Sequence, residues 1–195
     1  MCMIKAIIFD CFGVLTNDTW KEFLTSIDAK TRDDVRSVHA AYDKGFIEYT
    51  DFRRQVVEST KSDDATIDAI FMRHTKEPKN HKLLSYIQEL GANYKIGILS
   101  NVGTPWIRES FLTAEEIALF DDMVLSFEVG MGKPDPAVYK LACDRLSVAP
   151  EEAIFIDDLP PYCQVARDVG MQAIAYENFE QFHTEIQQLL ADSDN

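Results

Sequence analysis

The stretch Met3-Ile-Lys-Ala-Ile-Ile-Phe-Asp10 is a short, mostly apolar run that ends in an acid. Such a run is typical of a strand that is buried on both faces of a parallel sheet. Comparable runs are Lys95–Asn101, which ends in two small polar residues, and Ala153–Asp158, which ends in two acids. Shorter strands are predicted at Met123–Phe127 and Gln172–Tyr176.

Helical patterns separate these strands. Asn80–Leu90 has apolar residues at helical spacing, and Gly91 follows it as a typical helix terminator. Pro136–Leu146 begins after an aspartate that can act as N-cap, with proline as its first residue. Further helices are predicted at Pro161–Val169 and Phe179–Leu190. The alternation of strands and helices predicts an α/β fold with a doubly wound parallel sheet.

The segment from Thr16 to Glu77 interrupts this alternation. It is polar and helix-prone, and about 60 residues are far more than one crossover between neighbouring strands needs. We therefore predict two parts: an α/β core formed by residues 1–15 and 78–195, and a small inserted α-helical cap at residues 16–77.

Composition limits the partners of the chain. Its 195 residues are 46% hydrophobic, which suits one α/β core with a small insertion. The formal net charge of −14 repels nucleic acid, so we predict no nucleic-acid partner. A phosphate site would need a local positive centre, such as a metal ion or a lysine. We also predict no membrane partner, since no apolar stretch is long enough to span a bilayer.

Cysteine usage and the N-terminus indicate a cytoplasmic protein. Four cysteines are widely scattered and form no CxxC pair, which favours reduced thiols over a disulfide framework or a zinc site: Cys2, Cys11, Cys143 and Cys163. The first residues lack the length and the cleavage site of a signal peptide. The sequence gives no indication of oligomeric state.

Three predicted strands end in polar residues that could share one crevice. These are Asp10, the pair Ser100 and Asn101, and the pair Asp157 and Asp158. In a parallel α/β sheet, ligands bind at the carboxyl ends of the strands. Crowded carboxylates repel one another, and a hard divalent cation such as Mg²⁺ relieves that repulsion. The pattern predicts a magnesium site.

Lys133 lies in the sequence Gly-Met-Gly-Lys-Pro-Asp-Pro, a predicted loop between a strand and a helix, and could reach the same crevice. A carboxylate there could attack an electrophile and form a covalent intermediate. Ser100 and Asn101 would offer donors to phosphate oxygens, and Lys133 would offset the charge that develops.

Four segments resemble the motifs of the haloacid dehalogenase-like hydrolase superfamily, in the family's order. They are Phe9–Leu15, Leu99–Asn101, Gly132–Tyr139 and Ile154–Asp158, and together with Ala166–Gly170 they span most of the chain. The helical insertion lies where the family's first type of cap is found. The chain also resembles members that act as sugar-1-phosphatases.

This resemblance implies a Mg²⁺-dependent phosphatase that acts on a small phosphorylated metabolite through a covalent aspartyl-phosphate. It implies a role for each matching residue: Asp10 as nucleophile and metal ligand, the backbone carbonyl of Phe12 as metal ligand, Ser100 and Asn101 as phosphate binders, Lys133 as the neutralising and catalytic cation, and Asp157 and Asp158 as magnesium ligands.

Phe12 departs from the family pattern. Most family phosphatases have a second aspartate there, which protonates the leaving oxygen and later activates water. Three interpretations stay open: a substrate whose leaving group needs little protonation, a 2-haloacid dehalogenase, or a catalytically weak ligand-binding or regulatory protein. We favour the phosphatase, because family dehalogenases use no metal and lack the acidic pair.

Aromatic and acidic residues near the insertion have ordinary interpretations. We expect Phe12 to pack under the cap, and Trp20 and Trp106 to serve as packing rather than as site residues. Asp18 could replace the missing acid, but an acid in a solvated loop is the interpretation that we favour.

Overall fold

A computed structural model of the protein describes residues 3–74 and 78–193. It contains one five-stranded sheet in the order β3-β2-β1-β4-β5, in which every pair of neighbours is parallel. The strands are β1 (Ala6–Phe9), β2 (Lys95–Ser100), β3 (Asp122–Leu125), β4 (Ala153–Asp157) and β5 (Gln172–Ala175). The predicted doubly wound parallel sheet is confirmed.

The α-helices, in chain order, are α1 (Thr19–Ser26), α2 (Ala29–Asp43), α3 (Tyr49–Thr60), α4 (Asp64–His74), α5 (His81–Leu90), α6 (Ala114–Ile117), α7 (Ser126–Val129), α8 (Pro136–Arg145), α9 (Pro160–Asp168) and α10 (Phe179–Ser193). A π-helical turn spans Ile107–Phe111, and a 3₁₀ turn spans Pro150–Glu152. Across residues 3–74 and 78–193, no helix combines the length and the apolar character that crossing a membrane requires.

The third strand is shorter than predicted. It ends at Leu125, because Ser126–Val129 forms α7 instead of continuing the strand. Gly130 ends this short helix in the left-handed region, with φ +65°. The apolar run Met123–Phe127 did not distinguish Ser126 and Phe127, the first two residues of this helix, from the end of a strand.

Hydrophobic clusters cover both faces of the sheet. In β1, Ile7 and Phe9 belong to the cluster that includes Leu83 of α5 and Phe182 of α10. The intervening residues of β1 point to the opposite face, where the cluster includes Tyr139 of α8. Complete burial of one large apolar side chain contributes about 1.5–3 kcal/mol. The sheet is therefore the middle layer of an α/β/α core, and its carboxyl edge is left to form a site.

Helices α1–α4 form what we term the helical segment, residues 19–74. It has an aromatic-rich cluster of its own, separate from the two clusters on the sheet: Trp20, Val35, Tyr42, Phe52, Val56 and Ile67. The chain leaves and re-enters the core side by side, since Thr16 forms a bridge with Lys79 and the amide of Asn80 donates to the carbonyl of Leu15 at 2.8 Å. The division into residues 1–15 with 78–195 and 16–77 stays a prediction, and residues 75–77 lie outside the described residues.

Candidate active site

Three carboxylates meet at the carboxyl edge of the sheet. Asp10 directly follows the central strand β1, Asp157 ends the neighbouring strand β4, and Asp158 comes next in the chain. One oxygen atom of each lies within 4.8 Å of those of the other two. Asp10 is only 6% exposed and Asp157 is fully buried. The structure thus brings together the three acids that the strand ends predicted.

Lys133 reaches into this cluster from the loop before α8. Its Nζ lies 2.8 Å from Asp10 Oδ2 and 2.6 Å from Asp157 Oδ2, and its side chain is 1% exposed. Burial alone would lower the pKa of Lys133, but the charges and hydrogen bonds of the two carboxylates outweigh it and hold that pKa above its ordinary value. The two carboxylates therefore favour the protonated, ammonium form of Lys133.

One ammonium between two carboxylates leaves a buried negative charge uncompensated. Burial, together with the charge of Asp10, raises the pKa of Asp157 above its ordinary value even though Lys133 opposes the shift. The third acid, Asp158, pairs with Lys21 Nζ at 2.5 Å, but the Lys21 side chain is 50% exposed. An ion pair that is so open to solvent is worth at most about 1 kcal/mol. Three hard oxygen donors with a shortage of positive charge fit a divalent cation such as Mg²⁺.

Two glycines permit the close approaches that build the site. Gly13 has φ +82°, and a Cβ placed on it would lie 2.3 Å from Cγ of Asp158. A Cβ on Gly132 would lie 2.8 Å from Oδ1 of Asn101. Glycine at position 13 therefore lets the loop after β1 lie against Asp158. Glycine at position 132 lets the residue before Lys133 lie against Asn101.

Ser100 and Asn101, which were predicted to bind phosphate, occupy different surroundings. Asn101 holds the backbone of Lys133 at both ends: its Oδ1 accepts from the Lys133 amide at 2.8 Å, and its Nδ2 donates to the Lys133 carbonyl at 2.9 Å. Ser100 Oγ is buried and has no hydrogen-bond partner among the described residues. Asn101 thus positions Lys133, while Ser100 has a donor available for a bound oxygen.

A cavity of about 1090 Å³ extends from the carboxylates towards the helical segment. The rings of Phe12 and Trp106 stack with their centroids 5.7 Å apart, and both side chains line this cavity. Trp20 packs in the aromatic cluster of the helical segment and also lines the cavity. The expectation that the two tryptophans serve only as packing was therefore incomplete, because each has one side on the cavity.

The helical segment contributes charged residues that the sequence analysis did not select. His39 and Asp43 lie one helical turn apart on α2, with Nδ1 of the first 3.3 Å from Oδ2 of the second. Burial raises the pKa of Asp43 to about 8, and the negative charges of Asp18 and Asp10 add to the shift. The i, i+4 spacing indicated a pair on one helix face, but not that the face borders the cavity. The sequence also did not indicate that Lys21, on α1, borders the cavity.

Similarity to known proteins identifies the family. Residues 4–170 match the haloacid dehalogenase-like hydrolase family. The chain belongs to this family. A structure of a haloacid dehalogenase-family enzyme from Bacteroides thetaiotaomicron, in complex with magnesium and inorganic phosphate, matches with a TM-score of 0.68 and 24% identity, over 92% of this chain and 98% of that one. The predicted membership and the predicted core fold of a haloacid dehalogenase-like hydrolase are confirmed.

Relatives in sequence differ in how much of the chain they match. The D-ribitol-5-phosphate phosphatase of Bacteroides thetaiotaomicron is 25% identical over 210 residues, which cover 96% of this haloacid dehalogenase-like chain and 99% of the relative. Bifunctional epoxide hydrolase 2 of Sus scrofa is 46% identical, but only over 55 residues, 28% of this chain. The matched part spans about a tenth of the length of the bifunctional epoxide hydrolases.

Proposed function

We propose that this hydrolase is a Mg²⁺-dependent phosphatase that acts on a small phosphorylated metabolite, in the cytoplasm, through a covalent aspartyl-phosphate on Asp10. The observation that carries the proposal is the cluster of three carboxylates, two of which contact the buried ammonium of Lys133. The similarity to a D-ribitol-5-phosphate phosphatase along nearly its whole length supports a phosphate ester as substrate. The match to a family enzyme that holds magnesium and inorganic phosphate supports the same chemistry.

The metal would be held by the carboxylates of Asp10, Asp157 and Asp158, together with the main-chain carbonyl of Phe12. When bound, it supplies positive charge that stabilises the charge developing during phosphoryl transfer. The three carboxylates suit this role because Mg²⁺ prefers oxygen ligands.

The protein's own residues account for the remaining chemistry. A carboxylate oxygen of Asp10 attacks the phosphorus atom, and the bond between phosphorus and the ester oxygen breaks. Lys133 stabilises the charge on the transferring phosphoryl group, and Asn101 keeps the Lys133 backbone in place through two hydrogen bonds. The Ser100 hydroxyl donates to a phosphoryl oxygen. Water then hydrolyses the aspartyl-phosphate and releases inorganic phosphate.

The helical segment would act as a cap over this site. Its residues form one wall of the cavity and the strand ends form the other, so substrate would bind between the two. A cap of this kind excludes bulk water from a reactive intermediate and contacts the part of the substrate that is not phosphate. The volume of about 1090 Å³ leaves room for a sugar-sized group beyond the phosphate.

Phosphate release from a panel of esters tests the proposal. The panel contains D-ribitol 5-phosphate, sugar 1-phosphates and acetyl phosphate, each with Mg²⁺ and with EDTA. We expect release only with Mg²⁺, and a loss of at least about 10³-fold in kcat for Asp10→Asn, because the nucleophile is removed.

The matched control is Asp144→Asn, which changes an exposed aspartate on α8 that does not line the cavity. It should retain full activity. Release that persists in EDTA, or that survives Asp10→Asn, would contradict the proposal. Halide release from 2-haloacids without metal would replace it with a dehalogenase.

A further inference from the structure

We propose that Asp18, the N-cap residue of α1, is the general acid and base that this chain uses in place of an acid at position 12. The inference rests on the phosphatase function proposed above. It assigns the proton transfers that the Phe12 side chain is unable to perform.

The geometry places Asp18 on the reaction cavity. Asp10, Phe12 and Asp18 line the same cavity, and Asp18 is half-buried there rather than solvated in a loop. Its Oδ1 accepts a hydrogen bond from the amide of Lys21 at 3.0 Å, which fixes the carboxyl group at the first turn of α1. A carboxyl group held in place on the wall of the cavity that also contains the nucleophile is suited to donate a proton to a leaving oxygen bound there.

Charged groups from several elements act on Asp18. Lys21 lies on the same helix, Asp158 comes from the loop after β4, Asp10 follows β1, and Asp43 ends α2. Burial raises the pKa of Asp18 to about 6, the amide hydrogen bond from Lys21 opposes the shift, and the charges of Asp158 and Asp10 add to it. A carboxyl group that titrates near neutral pH can both donate and accept a proton during one catalytic cycle.

Asp18 would donate one proton in the first half-reaction and accept one in the second. As a carboxylate oxygen of Asp10 forms its bond to phosphorus, the bond to the ester oxygen breaks, and its electron pair takes the proton of the neutral Asp18 carboxyl group. The product is an alcohol, and Asp18 is left as a carboxylate. It then accepts a proton from the water molecule whose oxygen attacks the phosphorus of the aspartyl-phosphate. The bond between phosphorus and the Asp10 oxygen breaks, so inorganic phosphate is released and the Asp10 carboxylate and neutral Asp18 are regenerated.

Leaving-group dependence separates this role from a structural one. Acetyl phosphate expels acetate, which needs no proton, whereas D-ribitol 5-phosphate expels an alkoxide, which does. The ratio kcat/KM reports only the steps up to departure of the leaving group. For Asp18→Asn we expect kcat/KM to fall by about 10²-fold or more for the ribitol ester and to stay within about twofold for acetyl phosphate.

Asp28→Asn is the matched control. Asp28 is the exposed N-cap of α2, its side chain accepts from the amides of Lys30 and Thr31, and it does not line the cavity. Asparagine caps a helix about as well as aspartate, so both variants should fold with the unfolding temperature of the unsubstituted protein. The control should leave both substrates unaffected.

The pH profile provides a second readout. For the ribitol ester, kcat/KM of the unsubstituted protein should fall as pH rises and Asp18 loses its proton, and Asp18→Asn should lack this decline. Equal losses on both substrates, or no loss on either, would overturn the role of Asp18 and leave the phosphatase intact. Absence of phosphate release by the unsubstituted protein from every ester would overturn the proposed function itself, and the Asp18 role with it.

Discussion

At the scale of single residues, the active site depends on positions that have no side chain. Gly13 has a positive φ and lies where any Cβ would collide with the carboxyl group of Asp158. Gly170 has φ +106°, but a Cβ there would meet the flexible end of Glu151 at 3.0 Å and Cβ of Pro150 at 3.6 Å. The two glycines share a positive φ, which strains any residue with a side chain, and differ in whether a proposed metal ligand lies against them.

We therefore expect Gly13→Ala and Gly170→Ala to lose similar stability and to differ in metal binding. Each should lower the free energy of unfolding by about 1–2 kcal/mol, because alanine is strained at positive φ. Only Gly13→Ala should lose the rise in unfolding temperature on addition of Mg²⁺, since its methyl group displaces Asp158. Thermal unfolding with Mg²⁺ and with EDTA measures both effects. An undiminished Mg²⁺ response in Gly13→Ala would show that Asp158 is not needed for the ion.

At the scale of elements, α7 joins the helical segment to the core. Ser126 is the first residue of this short helix, and its buried Oγ donates to the carbonyl of Asp43, at the end of α2. The same Oγ accepts from the amide of Val102 at 2.8 Å. One hydroxyl thus connects the strand-end loop of β2, the helix after β3 and the cavity-facing end of α2.

We expect Ser126→Ala both to lower stability and to raise KM. It leaves a buried amide and a buried carbonyl unpaired, which costs about 1–3 kcal/mol, and it frees the end of α2 that carries Asp43. Ser37→Ala is the control, because Ser37 is exposed and bonds only to Asp33 within α2. Unfolding temperature and KM for the best substrate are the measurements. An unchanged KM in Ser126→Ala would mean that the end of α2 does not contact substrate.

At the scale of the whole molecule, the sequence predicted what local patterns determine. Asp10, Asp157 and Asp158 were found because apolar runs ending in acids identify strand ends, and parallel strand ends share one edge. The hold of Asn101 on Lys133 was not found, because it joins two loops 32 residues apart. Contacts of this kind depend on how loops pack in three dimensions, and no spacing in the chain encodes them.

The helical segment also shows that local sequence patterns do not determine how elements pack together. Its helices follow from composition and periodicity, and its turn contains Gly45, which has φ +70°. Which of its faces borders the cavity depends on docking against the core, so the positions of His39, Asp43 and Trp20 could not be predicted. Phe12 and Trp106 illustrate this from the core side. Their rings stack although Trp106 lies in the loop after β2, just before the π-helical turn Ile107–Phe111, far from Phe12 in the chain.

Acids buried along the cavity should make the metal-free protein less stable as pH rises. The pKa of Asp43 is raised from 3.8 to about 8, so between these values the folded state holds a proton that the unfolded state has lost. The contribution of Asp43 to the free energy of unfolding is therefore largest below about pH 4 and decreases as pH approaches 8. Each 1 kcal/mol lost lowers the unfolding temperature of a protein of this size by about 2–4 °C. Asp18 shifts in the same direction.

Asp43→Asn should flatten this dependence, because a neutral amide has no proton to lose. In EDTA, the unfolding temperature of the variant should fall less between pH 5 and pH 8 than that of the unsubstituted protein. Asp33→Asn, which changes an exposed acid on the same helix, should leave the dependence unchanged. Parallel curves for Asp43→Asn and the unsubstituted protein would mean that Asp43 is already ionised in the folded state. The 3.3 Å contact with His39 would then join the imidazole to a carboxylate, and the cavity wall would present a charged group to substrate rather than a neutral carboxyl group.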